Sequence, residues 1–292
     1  MSSPKVSILT TIYNREAFLE DCIRSVQRSH FQDYEHILVD DGSTDASIEI
    51  AHRLAEQDER IQLHLNESNL GDYPNRNKAA SLARGQYIKY LDADDMLGRW
   101  MLDIMVDAMD THPECALGLI DYADDAFHTA QPLAPKEAYE AYYSGKMDIF
   151  NRSPLGAIIR KDAFDSLGGF SGQRMIGDFE MWHIISRSHP IVAIPYTLSF
   201  YRRHGDSETA TWQSDPTWPL RYTKMSIDQL NAEFCPLPTA EKEAALRRFE
   251  RIAARSILLA LKNHGPNKAN EMKAMMEWSW TSTVGKAFVS MP

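Results

Sequence analysis

Tyr90-Leu91-Asp92-Ala93-Asp94-Asp95 sets three carboxylates within four residues, directly behind an extended-looking run over 86–91. A strand ending on such a cluster delivers it to the C-terminal edge of its sheet, the edge at which open α/β sheets bind ligands. Crowded carboxylates repel unless a cation sits among them, and hard divalent ions take oxygen ligands. The stretch therefore predicts a metal site that handles a phosphorylated ligand. A calcium loop of the EF-hand kind needs Gly at its sixth position, and counting from Asp92 that position is Leu97, so that reading fails. A plain acidic turn is the bland alternative.

The preceding residues supply the sheet that this strand belongs to. Residues 5–11 are β-rich and almost wholly apolar, as in a strand buried on both faces. Over 16–29, Phe18, Leu19, Cys22, Ile23 and Val26 recur at helical spacing. The unit repeats with a strand at 35–39 and a helix from about Asp45 carrying Ile48, Ala51, Leu54 and Ala55. Ile61, Leu63 and Leu65 alternate as a third strand, and a helix after Pro74 carries Ala79, Ala80 and Leu82. Strand alternating with helix predicts an α/β fold, with a single mainly parallel central sheet flanked by helices and joined by right-handed crossovers.

Beyond the carboxylates, the pattern predicts a helix at 101–109, a strand at 116–122 and a variable substrate-facing loop over 123–152. An extended stretch at 154–160, a short helix at 178–188 and a last strand at 191–201 follow. From about Trp212 a Pro-containing link leads into a long helix near 239–262, with Leu246, Phe249, Ile252, Ala253, Ile257 and Leu261 on one stripe and Lys242, Arg247, Arg248, Arg251 and Arg255 elsewhere. The reading divides the chain into a catalytic domain over 1–212 and a C-terminal helical extension over 213–292.

Composition narrows the function. With 43% hydrophobic residues the chain buries an ordinary core, and a formal charge of -10 argues against a nucleic-acid partner. Cys22, Cys115 and Cys235 lie far apart and give neither a disulfide framework nor a zinc spacing. The first residues show no signal-peptide core and no run approaches a membrane span, so the expected location is cytoplasmic, with the inner face of the membrane as a further option.

Three other strand ends carry polar clusters. Thr11, Tyr13, Asn14 and Arg15 stand where a dinucleotide fold would place a Gly-rich turn, and Thr and Tyr there suit hydrogen bonding to and stacking on a base. Asp40-Asp41-Gly42-Ser43-Thr44-Asp45 reads as a turn with Ser43 or Thr44 capping a helix, but the adjacent carboxylates are left over, and one suits the N3 hydrogen of uracil. The segment Asn69 to Lys78 carries Arg76 and Lys78 into a helix N-terminus, a place that favours anions. A solvated basic face is its bland reading.

Taken together, Val6 to Arg15, Val39 to Asp45, Asn69-Leu70-Gly71 with Asn75-Arg76-Asn77, and Leu91 to Asp95 resemble the family 2 glycosyltransferases of GT-A fold, over roughly 5–205. The resemblance implies a GT-A nucleotide-diphospho-sugar transferase fold and an inverting, metal-dependent transfer from a nucleotide-diphosphate sugar, a UDP-sugar by the Asp41 argument. It extends to Gly168-Gly169-Phe170 and to Gly177-Asp178-Phe179-Glu180-Met181-Trp182, where family members usually read Glu-Asp-x-Asp-x-Trp and the first Asp is the base. The matching base is Asp178; Gly177 and Glu180 depart from the pattern. Tyr201-Arg202-Arg203-His204 is similar to the family's closing Tyr-Arg-x-His segment.

The implied roles follow from this match. Asp178 deprotonates the acceptor; Thr11, Tyr13, Asp41, Arg76, Asp92 and Arg202 hold the donor; Asp94 and His204 hold Mn2+ or Mg2+. The acceptor is a saccharide or a lipid-linked sugar, and polysaccharide or glycoconjugate synthesis is the setting. A non-catalytic nucleotide-sugar-binding protein and a sugar nucleotidyltransferase are the alternatives; the latter would need a Gly-rich basic turn after the first strand. The helical extension suits packing on the catalytic domain, a homodimer, or an anionic membrane surface.

Overall fold

The computed structural model describes residues 3–121, 129–195 and 215–288, and the chain divides into two compact units, 1–202 and 203–292. In the first unit the strands are β1 (Val6–Ile12), β2 (Tyr34–Asp40), β3 (Ile61–Leu65), β4 (Tyr87–Tyr90), β5 (Leu117–Asp121), β6 (Gln131–Leu133), β7 (Ala157–Arg160) and β8 (Ile191–Pro195). They form one sheet in the order β3-β2-β1-β4-β7-β5-β8-β6. β1, β2, β3 and β4 pair in parallel, as do β5 and β8, whereas β7 runs antiparallel to β4 and β5, and β6 to β8. The sheet is thus mainly parallel, as the alternation of strand and helix requires.

The helices of this unit are α1 (Leu19–Gln27), α2 (Ser47–Ala55), α3 (Asp72–Leu82), α4 (Met101–Thr111), α5 (Pro135–Ser144), α6 (Lys161–Ser166) and α7 (Gly177–Ser188). Every residue of β2 is buried, so its side chains alternate between two apolar layers. In one cluster Leu19 and Ile23 of α1 meet Ala51 and Leu54 of α2 and Leu38 of β2. In another, Met101, Leu102, Met105 and Met109 of α4 pack with Tyr87, Ile158 and Val192. The chain steps outward from β1 to β2 to β3 and then returns to place β4 on the other side of β1. That reversal puts the switch point between β1 and β4, with Tyr13 and Asp92 at its two lips.

Two expectations need correction. The stretch 123–152 is not simply a loop: β6 and α5 lie in it, because Ala138, Tyr139, Ala141 and Tyr143 bury one helical face and Glu137 caps the Ala134 amide. The helix near Asp45 starts at Ser47 and is not capped by Ser43 or Thr44, whose backbone and hydroxyl groups bind the neighbouring β1 loop instead. The last strand is present over Ile191–Pro195, and the remainder of the expected 191–201 lies outside the described residues.

The second unit contains α8 (Thr217–Asn231), α9 (Thr239–Met275) and α10 (Trp280–Phe288). α8 occupies what reads as a Pro-containing link. α9 runs past 262, interrupted at Gly265, whose φ of 82° breaks the helix before Pro266. Its buried face is Ala245, Ala253, Ala254, Ile257 and Ala260; Ile252 and Leu261 are exposed, and Arg251, expected on the solvent side, is buried. Of the expected stripe, Ala253 and Ile257 are in the core and Leu246 and Phe249 pack against it, so the expectation fails at Ile252 and Leu261. No helix among the described residues is long and apolar enough to cross a membrane.

Candidate active site

The first two strand-end loops are laced together by side chains. The Asn14 amide donates to Ser43 Oγ (3.0 Å), and Asn14 Oδ1 accepts the Thr44 N–H (2.8 Å). The Arg15 N–H donates to Ser47 Oγ, the Glu16 N–H to Asp45 Oδ2, and the Ala46 N–H to Glu16. This lacing fixes Asn14 at φ 52° and leaves Tyr13 half exposed (50%) at the sheet edge, beside the half-buried Thr11. A flat ring so placed suits stacking on a base.

Asp41 is buried, and its carboxylate is already engaged. Oδ1 accepts from Asn66 Nδ2 (2.7 Å) and the Leu70 N–H (2.8 Å), and Oδ2 accepts the Gly71 N–H (2.9 Å). Asp41 thus organises the loop that leads into α3, a role its position in the sequence did not suggest. Lys78 is likewise committed, donating to Asn66 Oδ1 at 2.6 Å.

At the end of β4, burial alternates: Asp92 and Asp94 are half-buried, Ala93 and Asp95 buried. The turn is pinned from α1, where Cys22 Sγ reaches the Asp92 carbonyl and Ser25 Oγ accepts the Leu97 N–H. Beneath it, the fully buried Lys89 donates to the carbonyls of Tyr90 (3.0 Å), Pro154 (3.0 Å) and Leu155 (2.6 Å). Burial pulls its ammonium down to about 7, while Asp92 and Asp95 favour its charged form. Arg15 Nε stands 3.3 Å from Asp94 Oδ2, spanning the crevice between the β1 and β4 ends.

Helix α3 presents four residues to this crevice. Arg76 Nε donates to Asp72 Oδ1 (2.7 Å), Arg76 Nη2 lies 2.7 Å from Asp92 Oδ1, and the guanidinium rests over the rings of Tyr73 and Tyr90. Asn77 brackets Phe170, donating to its carbonyl (2.8 Å) and accepting its N–H (2.9 Å). Tyr73 Oη accepts the N–H groups of Gly177 (2.9 Å) and Asp178 (3.2 Å). Asp178 therefore sits in the first turn of α7; it is not the helix N-cap, which is Ile176. Its Oδ1 accepts the Phe179 N–H at 2.8 Å. Burial pushes the Asp178 carboxyl up to about 7, with Arg76 opposing the shift and Asp92 and Asp72 adding to it. Glu180, the other departure from the expected pattern, holds the 171–173 turn by accepting from Ser171 Oγ and Gln173 Nε2.

The structure thus gathers Asp92, Arg76 and Asp178 at one crevice, with Tyr13, Thr11, Asp41 and Asp94 on neighbouring strand ends. Arg202 and His204 lie outside the described residues. Sequence reasoning missed Tyr73 and Asn77; their signal was a pair four residues apart on the α3 face that also bears Arg76.

Among the described residues no group of three or more His, Cys, Asp or Glu is placed to hold a metal by itself. The donor chemistry still fits a hard divalent ion. Asp92 and Asp94 offer half-buried carboxylate oxygens at the end of β4, facing Arg76 at 2.7 Å and Arg15 at 3.3 Å, and carboxylate oxygens are what such an ion takes. Ions carried by phosphates need only one or two protein carboxylates.

An α/β sheet with acidic, aromatic and basic groups converging at its switch point defines a nucleotide-binding transferase architecture. The model of glycosyl transferase family 2 matches residues 7–168, and the chain belongs to that family. It is 28% identical to glycosyltransferase GlyG of Streptococcus pneumoniae over 230 residues, covering 74% of this chain and 76% of GlyG. Among solved structures, S. aureus TarS 1-349 in complex with UDP-GlcNAc superposes with a TM-score of 0.67 at 15% identity, covering 97% of this chain and 89% of that one. The mannosyltransferase PcManGT from Pyrobaculum calidifontis, in complex with GDP-Man and Mn2+, gives a TM-score of 0.62 at 16% identity, with coverage of 98% and 86%. At these identities the structural likeness shows the GT-A fold. The chain spans less than two thirds of the length of several curated relatives it matches, between 28% and 65%.

Proposed function

We propose that this chain transfers a hexose, with inversion, from a nucleoside-diphosphate donor to an acceptor hydroxyl, and that UDP is the nucleotide. The observation that carries the reading is the convergence on Arg76: its guanidinium joins Asp92 at the end of β4 and acts on Asp178 at the start of α7. Tyr13 and Thr11 would hold the base and Asp92 the ribose, with Asp41 ordering the loop around them. The UDP-GlcNAc complex of TarS and the Mn2+ complex of PcManGT support the donor and ion classes. A divalent ion on Asp94, when bound, supplies Lewis-acid stabilisation of the leaving diphosphate.

The proton chemistry falls to Asp178. With Oδ1 engaged by the Phe179 N–H, Oδ2 takes the acceptor proton as the acceptor oxygen bonds to the anomeric carbon. The bond from that carbon to the phosphate oxygen breaks, and its electron pair leaves with the diphosphate. A base poised near neutrality is well matched to this task. Arg76 stays charged at any working pH, because Asp92 and Asp72 outweigh its burial, and it offsets the negative charge of the diphosphate. The test is a screen of UDP-, dTDP- and GDP-sugars for thermal stabilisation with manganese; UDP-sugars should raise Tm most. Stabilisation by none of them would count against the reading.

A separate observation supports contact of the 203–292 unit with an anionic membrane surface. The stretch 251–270 contains no Asp or Glu, and its Arg255 and Lys262 are exposed, in a chain of net charge -10. Ile252 (42% exposed) and Leu259 (57% exposed) flank Arg255 on one face of α9. Co-sedimentation with phosphatidylglycerol vesicles should be strong at low salt and weak at high salt; no binding at low salt would exclude it.

A further inference from the structure

The start of α7 is held by a residue from a different helix. The first N–H groups of any helix lack intrahelical partners, and α7 has no side-chain cap of its own. Tyr73 of α3 fills that gap: its Oη accepts the N–H of Gly177 at 2.9 Å and that of Asp178 at 3.2 Å. The phenol ring lies against Gly177 so closely that a Cβ at 177 would stand 2.6 Å from Tyr73 Cζ. Position 177 is therefore glycine because the Tyr73 ring occupies the space of a side chain.

The ring itself is locked. It is buried, packs on Phe170 with ring centroids 5.1 Å apart and lies under the Arg76 guanidinium. Phe170 is in turn bracketed by Asn77 of the same helix. One rigid helix thus carries Arg76 to the acidic turn and Tyr73 to the base, which sets the spacing between donor diphosphate and Asp178 by a single element.

We propose that Tyr73 is a positioning residue for transfer: through its hydroxyl it fixes the backbone of Asp178 so that the carboxylate meets the acceptor. This rests on the reading of Asp178 as the base. A misplacement on the order of 1 Å costs up to about 10²-fold in rate.

The experiment compares wild type, Tyr73→Phe, Asp178→Asn and the double variant. Activity is read as manganese-dependent UDP release from whichever of UDP-glucose, UDP-galactose and UDP-N-acetylglucosamine the wild type turns over fastest, and hydrogen exchange is followed over the peptide 171–182. Tyr73→Phe keeps the ring and removes the acceptor. It should speed amide exchange at 177 and 178 and lower kcat by about 10- to 100-fold with donor KM unchanged. The double variant should be no slower than Asp178→Asn alone, because Tyr73 acts through Asp178. Wild-type kcat or unchanged exchange in Tyr73→Phe, with Asp178→Asn inactive, overturns the inference alone. A double variant slowed by the full product of the two single effects overturns it as well. An active Asp178→Asn overturns the base reading, and the inference with it.

Discussion

Arg76 Nη2 stands 2.7 Å from Asp92 Oδ1 while Nε of the same guanidinium donates to Asp72 at 2.7 Å. One half-buried cation therefore holds two carboxylates of the crevice. Arg76→Ala would leave Asp72 and Asp92 facing each other without it. Calorimetry should show UDP binding in manganese weakened at least about tenfold, since a charge-assisted contact contributes about 1.5–3 kcal/mol. Arg76→Lys should restore only part, because a single ammonium cannot span both carboxylates.

The pH behaviour of Asp178 works in opposite directions for activity and stability. Transfer needs the carboxylate, so the rate should rise with pH through about 7. Folding favours the protonated acid: the pKa is raised above its ordinary value of 3.8, so its contribution to stability is present below that value and is lost as pH rises through about 7. Asp178→Asn should accordingly raise Tm relative to wild type at pH 8, and the gain should shrink toward pH 4. Paired thermal melts at the two pH values check it.

Gly177→Ala forces a methyl against the Tyr73 ring, with 2.6 Å to Cζ. Overpacking of this kind costs about 1–3 kcal/mol, and urea unfolding should show it. In a Tyr73→Ser background the same substitution should cost much less, because the space is open.

Lys89→Met removes one donor from three backbone carbonyls at the root of the acidic turn. Leaving them unsatisfied should destabilise the fold by about 3 kcal/mol in urea unfolding. Because the folded-state pKa of Lys89 is depressed to about 7, its linked contribution makes wild-type stability rise with pH from about 7 toward 10.5, and the variant should lose that slope.

The parallel half of the sheet was legible because β1 and β2 are short β-rich segments each followed by an amphipathic helix, patterns fixed by local periodicity. The acidic turn was legible for the same reason: carboxylates at a strand end have few structural uses. What escaped depends on distant partners. Tyr73 reads as a loop aromatic until α7, over a hundred positions later, is laid against it. Asp41 reads as a free acceptor until the 66–71 loop folds onto it. Ile252 and Arg251 exchange their expected sides, which depends on what the neighbouring helices cover rather than on the apolar pattern of α9 alone. The placing of α8 across the Pro-containing link escaped too, since Pro219 falls in its first turn, where proline is tolerated.

The role of Asp178 is tested most directly by the rate of UDP release by Asp178→Asn at saturating UDP-sugar and manganese, in a protein confirmed to bind UDP as wild type does. General base catalysis predicts a fall of about 10² to 10⁴ in that rate. Release within about threefold of the wild-type rate, far short of what loss of a general base costs, would contradict it.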